Sequence, residues 1–141
     1  MEKIHDIFTG TWKLLEWTSR LPDGKVVFPF GRNATGRISY DDKGHMFVQI
    51  MKADRPLFKS DDIMQGKPEE MLRAYQDNLA YAGDYDVHPE DIQVIHHIKL
   101  SSFPNWVGHD QVRNYEFKGN MLILTASLES GIQRLVWEKI S

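Results

Sequence analysis

The sequence predicts an all-β domain of antiparallel strands, a sandwich or a barrel, with one inserted helix. Two observations carry this. Short apolar or alternating runs recur at spacings of roughly 8–12 residues, separated by clusters of Gly, Pro, Asn and Asp. One segment, Lys67 to Ala82, breaks that rhythm with apolar residues at helical spacing. A chain of 141 residues at 41% hydrophobic content, with no repeat or dividing linker, reads as a single domain over 1–141.

Strands are expected near 10–18, 25–30, 36–41, 45–52, 84–88, 92–101, 110–118, 121–127 and 133–140, in simple up-and-down order. Their separators, among them "LPDGK", "DDKG", "HPED", "KGN" and "ESG", each carry a turn former, and "DG", "KG" and "SG" suit tight hairpins. In the helical segment, Pro68 fits the first turn, Glu69 and Glu70 favour its positive end, and Gly83 stands where a C-terminal cap would sit. Met71, Tyr75, Leu79 and Ala82 then share one face, which needs a sheet to cover. The loop before it, "ADRPLFKSDDIMQG", is long, as loops flanking cavities often are.

Composition narrows the function classes. The absence of cysteine removes disulfides and thiolate metal sites, which suits a reducing compartment. "MEKIHDIFTGTW" lacks the pattern of a secretory signal, and no run approaches a membrane span, so a cytoplasmic location is expected. A net charge of −3 spread along the chain leaves no footprint for nucleic acid or an anionic membrane. "NAT" at Asn33 to Thr35 has the form of a glycosylation acceptor, of little meaning without secretion. Phosphate loops, dinucleotide fingerprints and nucleophile elbows are missing, and no cofactor is expected. Metal binding is not expected: His96 and His97, adjacent on a strand, cannot reach one ion, and His5, His45, His88 and His109 fall in separate turns or ends.

Five stretches, "GTWKLLEW", "DGKVVFPFGRNATGRISYDDKGHMFVQIM", "YAGDYDV", "VIHHIKLSSFPNWVGHDQVRNYEF" and "LVWEK", together resemble the lipocalin-like domain family of bacteria and fungi. The similarity runs from Gly10 to Lys139, and the long middle block and "FPNWVG" are its most specific parts. The resemblance implies a calycin-type antiparallel up-and-down β-barrel of eight to ten strands with a ligand-sized interior. The inserted helix near 68–82 would then cover the barrel mouth, with Trp12 and Trp137 at the closed end. The resemblance also expects an arginine in the last strand where Lys139 stands. Family members mostly lack an assigned activity.

Side-chain parity sorts the strands into faces. In 92–101 one face collects Ile92, Val94, His96, Ile98 and Leu100, and the other Gln93, Ile95, His97, Lys99 and Ser101. His96 is therefore expected to look inward and His97 to meet water. In 110–118 the aromatic face of Tyr115 and Phe117 carries Arg113 inward, where it needs a partner: Glu16, Tyr40, Tyr85, or a bound carboxylate or enolate. Ile38 with Tyr40, Phe47 with Gln49 and Met51, and Tyr85 with Val87 are taken as further inward sets, and Phe28 as part of the apolar wall. The candidate ligand-lining residues are Tyr40, Phe47, Gln49, Met51, Tyr75, Tyr85, His96, Ile98, Arg113 and Tyr115.

Such an interior suits a small, largely apolar or amphiphilic molecule with a polar or anionic end. The alternative is a cofactor-independent isomerase, cyclase or hydratase, with His96 as general acid or base and Arg113 stabilising an oxyanion. A weaker third reading has His96 ligating haem. Against all three stands a core histidine satisfied by tyrosine and glutamine neighbours. A homodimer stays open as an assembly state.

Overall fold

Eight strands close on themselves because the hairpin turns read in the sequence bring each strand beside the next. The computed structural model describes residues 3–141. Its strands are β1 (Gly10–Arg20), β2 (Val26–Val27), β3 (Thr35–Tyr40), β4 (His45–Met51), β5 (Asn78–His88), β6 (Gln93–Ser101), β7 (Asp110–Lys118), β8 (Met121–Leu128) and β9 (Gly131–Lys139). From β3 onward each strand pairs antiparallel with its successor, and β1 pairs with both β3 and β9. The result is a closed barrel of β1 and β3 to β9, which leaves no free edge along the main sheet. The extra strand β2 joins only the far end of β1, at Ser19 and Arg20.

A short helix, α1 (Ile4–Phe8), shuts one end; no element was expected there. Phe8 is wholly buried, with Tyr40, Tyr115 and Phe117 edge-on at 5.0–5.3 Å. Its carbonyl accepts the Trp12 indole N–H at 3.0 Å, so the buried indole nitrogen has a partner. Lys139 lies with its Nζ 5.5 Å from the Trp12 ring centre, supplying a cation–π contact where the family resemblance expects arginine.

The inserted helix is shorter than its apolar spacing suggests. α2 (Pro68–Gln76) starts at Pro68, and Glu70 accepts the backbone N–H of Lys67 at 2.9 Å. It ends at Asp77, and Leu79 and Ala82, assigned by spacing to the helix face, belong to β5. β-prone pairing with β4 wins there: Leu79 faces Ile50 and Ala82 faces Phe47 in the ladder. None of the nine residues of α2 is buried.

Two bulges decide which side chains reach the interior. In β1 the pairing with β9 slips between Leu14 and Glu16, so the inward set changes from Trp12 and Leu14 to Trp17 and Ser19. Glu16 therefore faces out, 4.0 Å from Arg134, and is not the partner of Arg113 that its phase with Trp12 suggested. In β6 the pairing with β5 slips between Ala82 and Gly83, and Leu100, expected inside, is 68% exposed.

β4 corrects a further expectation. Phe47, Gln49 and Met51 were assigned inward, but Met46, Val48 and Ile50 are the buried residues and Phe47 is 61% exposed. Directly opposed residues of an antiparallel pair share a face. Met46 and Val48 oppose the buried Tyr40 and Ile38, which sends the other parity outward.

His97 lies on the outer face as parity predicts, but carboxylates hold both its nitrogens. Nδ1 donates to Asp110 and Nε2 to Asp86, both at 2.7 Å. The hydrogen bond to Asp110 leads in raising its pKa, and that to Asp86 adds to it. Two donating nitrogens require the imidazolium form. With the folded-state pKa above the ordinary 6.5, this stabilisation is complete below that pH and fades as pH rises through the raised value. Solvent screening keeps it below about 1 kcal/mol. Urea midpoints of the protein and of His97→Gln should differ in mild acid and converge as pH rises through the raised pKa; a constant gap would contradict the ion-pair account.

Candidate functional site

The open end of the barrel leads into a cavity of about 290 Å³. Trp17, Ile50, Leu124, Leu135 and Trp137 build an apolar wall from four strands, β1, β4, β8 and β9. Tyr75 of α2 and Phe103 and Trp106 of the β6–β7 connection lie at the rim, and Phe30 lines the cavity edge-on to Trp17 at 4.8 Å. The volume is near the lower bound of about 300–1,000 Å³ for ligand pockets, which favours a single-ring or similarly compact molecule.

The polar side of the cavity is a chain of hydrogen bonds through His96. This ring is wholly buried. Its Nε2 bonds the Tyr40 hydroxyl at 2.7 Å and its Nδ1 bonds the Tyr81 hydroxyl at 2.8 Å. Burial drives its pKa down to about 3, with the Arg113 guanidinium the next cause, so the imidazole is neutral at ordinary pH. Burial likewise raises the Tyr40 and Tyr81 phenols, which stay protonated.

Arg113 borders the same cavity and is half-buried, carried inward by the β7 parity that the sequence reveals. It donates to the Val112 carbonyl at 3.2 Å and makes a long contact with Gln111 at 3.4 Å. Beside it, the Tyr81 oxygen feels its charge, which offsets part of the burial effect on that phenol. No described carboxylate forms an ion pair with Arg113.

Of the ten candidate ligand-lining residues, Tyr75, His96 and Arg113 border the cavity. Tyr40 stands behind His96 and reaches the cavity only through it. Ile98 is in the packed core. Tyr85 and Tyr115 belong to the α1 end: Tyr85 donates to the Asp41 carbonyl at 2.7 Å and stacks on His5, while Tyr115 packs on Phe8. Phe47 and Gln49 lie outside, and Met51 accepts from Arg55 Nη1 at 3.3 Å beside the α2 connection. Phe28, taken for the wall, lies beneath the Arg32 guanidinium at 4.3 Å instead.

Sequence reasoning missed Tyr81, Trp17 and Gln133. Tyr81 was hidden inside the overlong helix, although the alternation "AYAGDYDV" places it two positions from Gly83 and four from Tyr85 on one strand face. Trp17 came inward through the β1 bulge, which leaves no simple signal. Gln133 is buried and fully used: its Oε1 accepts from Trp17 and its Nε2 donates to Ser19.

Chemically, the site can hold a compact apolar body and bond its polar end. His96 is a poor base here, since both ring nitrogens are engaged and its proton affinity is low. The same engagement leaves no free lone pair for a haem iron. Among the described helices none is long and apolar enough to cross a membrane.

Comparison with known proteins places this geometry in context. A redesigned β-barrel aligns over 100% of this chain and 98% of that one, with 11% identity and a TM-score of 0.49. A variant of the fluorescent protein UnaG aligns over 96% of this chain and 98% of that one, with 14% identity and a TM-score of 0.45. A 4'-hydroxy-3'-methoxypropiophenone carrier protein of Aspergillus oryzae is 32% identical over 107 residues, spanning 67% of this chain and 96% of the relative. The lipocalin-like domain model matches residues 9–140, and the chain belongs to that family.

Proposed function

We propose that the barrel binds a small, largely apolar molecule with a polar or anionic end, the apolar body in the cavity and the polar end at Arg113. The observation that carries this is the guanidinium itself. A cation half-withdrawn from water beside an apolar cavity, with no carboxylate among the described residues to neutralise it, is held at a cost that an acceptor-bearing ligand would offset. The size of the cavity supports a compact passenger. The name of the Aspergillus oryzae relative adds support, since it describes a carrier of an aryl ketone with one ring.

Trp17, Trp106 and Trp137 border the cavity, so occupancy should change tryptophan fluorescence. Titration with single-ring aromatic acids and ketones is expected to give a saturable, one-to-one signal, matched by a ligand-bound mass in native mass spectrometry. Arg113→Met should weaken an aromatic carboxylate by roughly 10- to 100-fold, the range of a hydrogen bond to a charged group, while leaving stability unchanged or improved. A flat titration across the panel would overturn the reading.

A further inference from the structure

The hydrogen-bond chain through His96 has two directions, and donor counting chooses between them. A neutral imidazole donates through one nitrogen and accepts through the other. If Tyr81 donates to Nδ1, then Nε2 donates to Tyr40, and the Tyr40 hydroxyl proton is left over. Tyr40 is 1% exposed, and among the described residues its hydroxyl has no partner other than His96. That direction strands a buried donor, which native structures avoid.

The reverse direction leaves nothing stranded in the core. Tyr40 donates to Nε2, and the proton on Nδ1 goes to the Tyr81 oxygen. Arg113 lines the same cavity as Tyr81, and its charge acts on that oxygen. The Tyr81 hydroxyl proton is then free, on a residue that lines the cavity.

Other groups of the wall tilt the same way. The indole N–H of Trp137, which also borders the cavity, is buried without a partner among the described residues. The acceptors each hold a donor already: Gln133 Oε1 that of Trp17, Asn78 Oδ1 that of Gln49, and Ser102 Oγ the Ala80 N–H. The remaining amide, Gln76, is on the exposed rim. The interior has donors to spare and few acceptors.

We propose that the bound molecule presents a carbonyl-type acceptor, a ketone, enolate or carboxylate, to the paired donors Tyr81 and Arg113, with His96 fixed as its Nδ1–H tautomer. This rests on the binding function proposed above and names the chemistry of its polar end. Alcohols or phenols acting as donors are selected against, because they would meet a second donor. Tyr81 is a binding residue in this scheme, and His96 and Tyr40 are positioning residues that orient its hydroxyl.

Two measurements on the intact protein test this. Nitrogen NMR of ring-labelled histidine, with His96→Gln to assign the signal, should place the His96 proton on Nδ1; a proton on Nε2 overturns the proposal. Fluorescence titration should show propiophenone binding at least about tenfold tighter than its methylene analogue, in which C=CH2 replaces C=O. Tyr81→Phe should remove most of that preference while the methylene analogue binds as before, a split that misfolding would not produce. Equal binding of the two compounds overturns the acceptor class alone and leaves small-molecule binding standing. Failure of both compounds to bind overturns the ketone as the ligand's acceptor, and a flat titration with the aromatic acids as well overturns the binding function with it, whatever the tautomer.

Discussion

His96→Leu is expected to destabilise the protein by roughly 2–5 kcal/mol, because two buried phenol hydroxyls lose their shared partner at about 1–3 kcal/mol each. Tyr40 and Tyr81 are 1% and 7% exposed, so water cannot readily replace the ring. The triple variant Tyr40→Phe, His96→Leu, Tyr81→Phe should recover most of the loss, since removing all partners of a buried polar network leaves no unpaired group. Urea unfolding of the two variants makes the comparison; a triple variant no more stable than the single one would refute it. The histidine also sets a pH slope. Its folded-state pKa of about 3 lies below the ordinary 6.5, so the unfolded chain takes up the proton first and stability falls as pH drops through that window. His96→Leu should lack this acid sensitivity, whereas the outward His97 contributes a slope of opposite sign.

Gly83→Ala is the second large effect. A Cβ at this position would overlap the carbonyl oxygen of His97 and lie 3.0 Å from the nitrogen of Lys99, both fixed backbone atoms. The contact arises at the β5–β6 bulge, where Gly83 opposes Ile98 and the two chains run unusually close. Moving β6 away would shift His96, two residues from Ile98, relative to Tyr81. A loss of roughly 3 kcal/mol or more is expected, together with loss of ligand binding. A circular dichroism melt within about 1 °C of the parent would show that the bulge can yield.

Sequence alone reveals β7 well because its two faces differ so strongly: Tyr115 and Phe117 against Asn114 and Glu116 leave one choice for Arg113. It also places His96 and His97 on their observed faces, since Lys99 and Gln93 mark the wet side of β6. β4 carries the same cue, with His45 and Gln49 marking the wet phase of "HMFVQIM", but Phe47 and Met51 in that phase mask it until the pairing with β3 is known. Bulges are harder still. An extra residue in β1 inverts the faces of Glu16 and Trp17 without any change in composition, and the consequence is that Glu16 does not neutralise Arg113. The five residues of α1 are too few for periodicity to register, so the plug at the closed end and its claim on Tyr85 stay hidden.

The light attachment of α2 bears on how a passenger would come and go. Its nine residues bury nothing, and its ties to the preceding loop are few, chiefly Arg55 to the Ala74 carbonyl at 3.0 Å and Glu70 to the Lys59 N–H at 3.0 Å. Such a segment detaches at a fraction of the cost of global unfolding, and its amides should exchange with solvent long before those of the eight-stranded ladder. A molecule held in the cavity would then enter and leave at the rim while the barrel wall keeps its shape, and its residence time would follow the opening of that one helix.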